Sequence, residues 1–276
     1  MTKIEEKFRE LREREEGAYM PHIYYGDPNP EFSQKAIKSL ASNGADFLEF
    51  GIPFSDPVAD GPTFQKACDR ALGMGITPET CLQGIENMRD EGLDIPIIVT
   101  AYYNIVHNYG LNAFLERLSD VEVQGIIIPD IPLEEAGGLI KSAGESKIDV
   151  ILQVTQNTSK DRLKKIAGSS SGFLYVVNVE GVTGARENVP QSTLKLMKSV
   201  RENVEIPLMA GFGISKEIHA RTLVSGGADG IITGSALREI YGANQSNPEE
   251  KLEDLGKFAN QIKKACIKGY REQTNR

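Results

Sequence analysis

The stretch LEFGIPFSDPVADGPTFQ, from Leu48 to Gln65, places three carboxylates, Glu49, Asp56 and Asp60, among Pro53, Pro57, Pro62, Gly51 and Gly61. Glu49 sits between Leu48 and Phe50 in a short apolar run. If that run is a strand, alternation aims Glu49 opposite to its two neighbours. An acid at the end of a buried strand is held away from water, which raises its pKa and suits proton transfer near neutral pH. The alternative is a structural acid paired with a base, but no Lys or Arg lies between Glu49 and Gln65. Asp60, in ADGPT, stands just before a helix expected to start near Pro62. Taken alone, Asp60 reads more readily as a helix-start residue than as a catalyst, and Asp56 in SDP shares that ambiguity.

Other chemistries lack residues. No lysine stands at the C-terminal end of an expected strand, which argues against a Schiff-base aldolase. His22, His107 and His219 lie in separate segments, so a histidine metal site has little support. Cys68, Cys81 and Cys266 form neither a disulfide framework nor a zinc motif and point to a reducing compartment. Glycine loops are plentiful. AGFGIS carries Gly211, Gly213 and Ser215, TGSA carries Gly234 and Ser235 at a helix start, and EGVTG runs up to Gly184. Backbone N–H groups of such loops, with a helix N-terminus, make an anion site. Each glycine by itself also fits a tight turn that needs positive φ.

These residues need a frame. Short apolar runs occur near residues 22, 46, 95, 125, 149, 172, 206 and 229, with helical periodicity between most of them. Eight β-then-α units with nearly continuous apolar strands imply an α/β fold, a single (β/α)8 TIM barrel over residues 1–276. Doubly wound α/β is the rival, but no dinucleotide fingerprint follows the first strand. Gly44, Gly144 and Gly226 fit positions just past helix ends. Charged segments at about 1–16 and 246–276 are expected to add helices at the two termini. In the first, Thr2 and Glu5 fit a capping box, and Ile4, Phe8 and Leu11 form one apolar stripe. In such barrels the site lies at the C-terminal ends of the strands, where Glu49 and the glycine loops fall.

A formal net charge of -8 over 276 residues argues against nucleic acid as the main partner. No apolar run approaches the length of a membrane span, and the charged N-terminus is unlike a signal peptide. A soluble, cytoplasmic protein acting on a small phosphorylated molecule is therefore expected.

The opening stretch closely resembles the signature of the tryptophan synthase alpha chain family. GDP at 26–28, YYN at 102–104, IPDIPLEE at 128–135, GVTG at 181–184, GFGIS at 211–215 and GSA at 234–236 match in order and spacing. The resemblance covers nearly the whole chain. It implies retro-aldol cleavage of indole-3-glycerol phosphate to indole and glyceraldehyde 3-phosphate. Glu49 would deliver a proton to indole C3 and could also accept the proton of the substrate's 3′ hydroxyl as the aldehyde forms, and Asp60 would hold the indole N–H and the positive charge that develops there. Tyr175 matches an active-site tyrosine, although a core aromatic reads equally well. Thr183 would close over the substrate with Asp60, and Phe212 would pack on it. Gly184, Gly213, Gly234 and Ser235 would bind the phosphate.

The same resemblance implies a partner, a pyridoxal-phosphate-dependent beta chain in an alpha2-beta2 complex. Pro53, Asp56, Asn104, Pro129, Asp130 and Pro132 match the docking surface, and this chain would need no cofactor of its own. A stand-alone lyase and a non-catalytic regulatory subunit are the alternatives. Indole-glycerol-phosphate synthase would require a strand-end lysine that is not found. The chain departs from the family's usual pattern at His22, Tyr24, Gln153, the TQNT segment 155–158 and NIVHNYG from residue 104. These changes touch the expected pocket wall and docking surface.

Overall fold

The computed structural model describes residues 1–177, 189–211, 213–242 and 247–274. Its strands are β1 (Ala18–Tyr24), β2 (Leu48–Gly51), β3 (Ile97–Thr100), β4 (Gly125–Ile127), β5 (Asp149–Ile151), β6 (Gln153–Val154), β7 (Leu174–Val177), β8 (Leu208–Gly211) and β9 (Gly230–Thr233). All pair in parallel, in the order β5-β4-β3-β2-β1-β9-β8-β7-β6. The two ends of that order, β5 and β6, are halves of one strand parted at Leu152. The ladder runs on through Leu152, whose carbonyl accepts the Tyr175 N–H at 3.0 Å while its own N–H goes to the Ser170 hydroxyl at 3.1 Å. The sheet thus closes into an eight-stranded barrel.

The register gives the stagger of that barrel. His22 pairs with Glu49, Glu49 with Ile98, Ile98 with Gly125, and Gly125 with Asp149. The other half runs from Gln153 through Tyr175, Met209 and Gly230 to Ala18. Asp149 to Gln153 is a slip of four residues and Ala18 to His22 another four, together the shear of eight typical of a TIM barrel.

Period-two alternation then decides what points inward. Ala18, Met20, Phe47, Ile98, Ile127, Ile151, Phe173, Met209 and Ile232 form one interior cluster with Ile4, Phe8 and Leu11. The last three lie on the N-terminal helix Lys3–Glu13, which plugs the N-terminal end of the barrel with its apolar stripe. Each such side chain, fully buried, contributes about 1.5–3 kcal/mol. The Thr2 hydroxyl accepts the Glu5 N–H at 3.3 Å and the Glu5 carboxylate accepts the Thr2 N–H at 2.9 Å, the expected capping box. The C-terminal helix Leu252–Thr274 packs against helices Pro30–Ser42 and Glu217–Ser225. Its Lys263 bonds Asp46 at 2.8 Å, just before β2, and pins the outer layer to the barrel.

Two expected helix ends are corrected. Gly44 has the left-handed φ of 111° expected beyond Ser42. Gly144 lies inside the helix Gly137–Glu145, and the left-handed residue there is Lys147, φ 59°. Gly226 caps its helix at φ -87°, and Gly227 takes the turn at φ 116°. In both places a run of small residues extends over the last turn, so composition located the helix end only to within a few residues.

Candidate active site

One pleat above the apolar interior, the inward positions change character. His22, Glu49, Thr100, Gln153 and Tyr175 line a cavity of about 530 Å³ at the C-terminal mouth, together with Asp60 from the loop after β2. That volume suits a drug-sized ligand.

Glu49 is 2% exposed. The Thr100 hydroxyl donates to its Oε1 at 2.7 Å, and His22 Nδ1 stands 3.4 Å from the same oxygen. Among the described residues Oε2 has no partner. Burial pushes the Glu49 carboxyl up to about 8, and the nearby Asp60 charge adds to the rise while the Thr100 bond opposes it. Glu49 is therefore mainly a neutral acid at pH 7, with one oxygen held and one free. Burial moves His22 the other way, down to about 4, against the pull of Asp60, so the imidazole is neutral.

Asp60 is positioned differently. The following helix, Pro62–Gly73, is capped by Gly61 rather than by Asp60, which corrects the simpler reading of that acid. The Asp60 Oδ2 accepts hydrogen bonds from the hydroxyls of Tyr24 and Tyr102, each at 2.7 Å. Tyr102 also accepts the Ala59 N–H at 3.1 Å, so the loop backbone and its carboxylate are fixed to one ring. Both tyrosine hydroxyls are buried beside a carboxylate, which drives their pKa values well up and keeps them donors. Tyr175, inward on β7, has its pKa raised well above the usual value by burial, with smaller contributions from Glu49 and Asp60.

Gly213, Gly234 and Ser235 line the same cavity. Gly213 has φ 62°, which favours glycine. Gly234 is needed for another reason: a Cβ there would stand 2.3 Å from the Phe64 ring. The helix Ser235–Gly242 opens at this point, and its first internal bonds run from Leu237 and Arg238 to the Gly234 carbonyl. The N–H groups of Ser235 and Ala236 thus face outward from the helix start, an anion-binding arrangement. Thr183, Gly184 and Phe212 lie outside the described residues.

The expected docking residues split. Asp56, Asn104, Asp130 and Pro132 are exposed, Pro53 is buried at the base of its loop, and Pro129 lines the cavity. The three segments meet: Ala59 bonds Tyr102, and the Tyr103 N–H donates to Asp130 at 2.9 Å. Val58, 80% exposed, stands on the loop between them.

The contacts of His22, Tyr24, Thr100 and Tyr102 were not assigned from the sequence. Parity held the signal. His22 follows Ala18 and Met20 on one face of β1, in register with Glu49, and Thr100 follows Ile98. The three free cysteines are buried, and no cluster of possible metal ligands occurs among the described residues. Nor is any helix among them long and apolar enough to cross a membrane.

Fold and site define a class, the (β/α)8 barrel whose C-terminal mouth holds two carboxylates and a glycine-lined helix start in one cavity. Comparison with known proteins narrows it. The tryptophan synthase alpha chain profile matches residues 8–267. Tryptophan synthase alpha chains of Rippkaea orientalis and Methanothermobacter thermautotrophicus are 41% and 42% identical, covering 96% and 94% of this chain and 98% and 96% of theirs. Among solved structures, the tryptophan synthase alpha chain of Legionella pneumophila superposes with a TM-score of 0.87 at 28% identity, covering 96% of this chain and 97% of that one. A chain of the tryptophan synthase complex from Pyrococcus furiosus gives 0.81 at 30% identity, covering 90% and 98%. The chain belongs to the tryptophan synthase alpha chain family.

Proposed function

We propose that the chain is a cytoplasmic carbon–carbon lyase that cleaves indole-3-glycerol phosphate to indole and glyceraldehyde 3-phosphate, as alpha subunit beside a pyridoxal-phosphate-dependent beta chain. The observation that carries this reading is the pairing of two carboxylates in one cavity with opposite tasks. Glu49 is buried and neutral, with Oε2 left unpartnered among the described residues. Asp60 is held by two tyrosine hydroxyls on Oδ2.

Cleavage needs a proton on indole C3 and stabilisation of the cation that this creates at the ring nitrogen. Glu49 supplies the first, worth a factor of about 10² to 10⁴. Asp60 accepts the ring N–H and meets the charge; a preorganised partner of this kind is worth about 3 kcal/mol. The N–H groups at Gly213, Gly234 and Ser235 hold the phosphate, with Gly184 expected to join them. The chain itself needs no cofactor in this reading. Thr183 is expected to close with Asp60 over the substrate, and Phe212 to pack against it.

The joined surface of Val58, Asn104, Asp130 and Pro132 supports a docking face for the beta chain. The Pyrococcus furiosus relative comes from a tryptophan synthase complex, which supports the same reading.

The test is release of glyceraldehyde 3-phosphate from indole-3-glycerol phosphate by the purified chain, with and without a tryptophan synthase beta chain. Slow release that rises sharply with the beta chain is expected. Fast release from the chain alone would favour a stand-alone lyase, and none in either condition would leave a regulatory subunit. Asp60→Asn should fold normally and lose nearly all turnover; a folded variant with near-normal turnover would sink the mechanism.

A further inference from the structure

His22 has no part in the scheme above, yet it is 7% exposed, lines the cavity and stands against the catalytic acid. Its ring is held at 4.9 Å from Tyr24 on its own strand and 4.8 Å from Phe64 on the helix Pro62–Gly73. Glycine at 51 leaves room for it, since a Cβ there would fall 2.9 Å from Nε2. Glu49 Oε1 is 3.4 Å from Nδ1, and among the described residues Nε2 is buried without a partner. A neutral imidazole has one N–H and one lone pair. With Nδ1–H directed at Glu49, the lone pair is on Nε2. Thr100 donates to Oε1 and the His22 N–H is directed at the same oxygen, which puts the carboxylic proton on the unpartnered Oε2.

Two proton transfers are needed in the proposed cleavage, one onto the ring carbon and one off the side-chain hydroxyl. We propose that His22 shares them with Glu49: Oε2 of Glu49 gives its proton to ring C3, and Nε2 of His22 takes the proton of the hydroxyl whose carbon becomes the aldehyde. The inference rests on the substrate reading given above.

The step balances. Protonation forms the C3–H bond and leaves the cation at the ring nitrogen, beside Asp60. As the hydroxyl proton moves to Nε2, the O–H electron pair forms the carbonyl and the C3–carbinol bond breaks. That bonding pair restores the ring double bond and the neutral nitrogen. Glu49 has lost one proton and His22 gained one. Transfer from Nδ1–H to Oε1 neutralises both, and exchange with solvent restores the starting tautomer. The groups facing the imidazole, Glu49, Asp60 and Tyr24, with Tyr175 opposite, fit these states. Burial holds Glu49 protonated and His22 unprotonated near pH 7, an acid and a base whose pKa values are pushed apart.

The experiment is steady-state cleavage of indole-3-glycerol phosphate by wild type, His22→Phe and His22→Gln, each with the beta chain. His22→Phe keeps an aromatic ring between Tyr24 and Phe64 and should lower kcat about 100-fold, with KM little changed. His22→Gln restores a donor toward Glu49 but cannot take a proton, so its kcat should stay low. A kcat within twofold of wild type in either variant overturns the proposal. Absence of cleavage by wild type would instead sink the substrate reading, and the inference with it. ¹⁵N NMR of the wild-type imidazole tests the assignment independently of turnover and of variant folding. A neutral ring protonated at Nδ1 is expected at pH 7; an Nε2–H tautomer or a charged ring overturns the proposal.

Discussion

The two ends of the barrel interior are built by the same strands and differ by one pleat. Met20 is followed two residues on by His22, Phe47 by Glu49, Ile98 by Thr100, Ile151 by Gln153 and Phe173 by Tyr175. At the lower layer these five side chains are apolar, and the N-terminal helix seals it. At the upper layer the five are polar and surround a cavity. Backbone geometry and burial are nearly the same in both, so the difference between core and site is side-chain chemistry. The lower layer gains from burial. The upper layer bears its cost, visible in the raised carboxyl of Glu49 and the lowered imidazole of His22.

The sharpest break of this comparison uses one strand. Glu49→Gln should lower kcat for cleavage by about 10³-fold or more, on the scale of a positioned acid. The same variant should be more stable than wild type at pH 8. A carboxyl whose folded pKa is raised contributes its full stability below the unfolded value of 4.5 and loses it as pH rises toward about 8. Gln does not titrate, so the difference in Tm should widen from pH 5 to 8 and then level off. A gap that is flat with pH would mean that Glu49 is not held neutral.

Two residues earlier, Phe47→Ala should do the reverse. It opens a cavity beside Phe8 in the interior cluster and should cost about 3–5 kcal/mol of stability in denaturant unfolding. Turnover per folded molecule should change far less than in Glu49→Gln. Equal losses of kcat in the two variants would erase the distinction between layers.

At the mouth, Tyr24→Phe and Tyr102→Phe each remove one of the two donors to Asp60 Oδ2. A single bond of this kind is worth about 0.5–1.5 kcal/mol, up to roughly tenfold in kcat/KM. The double variant should lose more than the product of the singles, because either tyrosine alone still pins the carboxylate. Strict multiplicativity in kcat/KM would show that the two bonds act independently.

The lower layer was the easier part to read from sequence. Apolar runs and period-two alternation placed the strands, and the stripe of Ile4, Phe8 and Leu11 gave a helix with one buried face. Glu49 was legible because it interrupts an apolar strand. The glycine-lined side of the cavity was legible because glycine loops recur at successive strand ends. What failed to show was contact across the barrel. Tyr24 and Tyr102 meet on Asp60 from β1 and from the segment after β3, far apart in sequence, so no local pattern announces them. His22 appeared only as a departure from a family pattern until the register of β1 on β2 set it beside Glu49. Gly144 and Gly226 were misplaced because small residues cluster on both sides of a helix end, where only φ distinguishes them.

The smallest expected effect lies at the sealed end, farthest from the chemistry. Thr2 and Glu5 exchange two hydrogen bonds at the start of the plugging helix, where Glu5 is exposed and Thr2 half-buried. Thr2→Ala removes the hydroxyl that receives the Glu5 N–H, which typically costs about 1 kcal/mol. The helix stays docked because Ile4, Phe8 and Leu11 are buried and dominate its energetics. A fall of a few degrees in Tm with unchanged kcat and KM is therefore expected. A change in kcat from so remote a cap would mean that the plug is coupled through the apolar layer to the residues one pleat above it. Independent layers predict that Thr2→Ala and Tyr102→Phe combine without interaction in both stability and turnover.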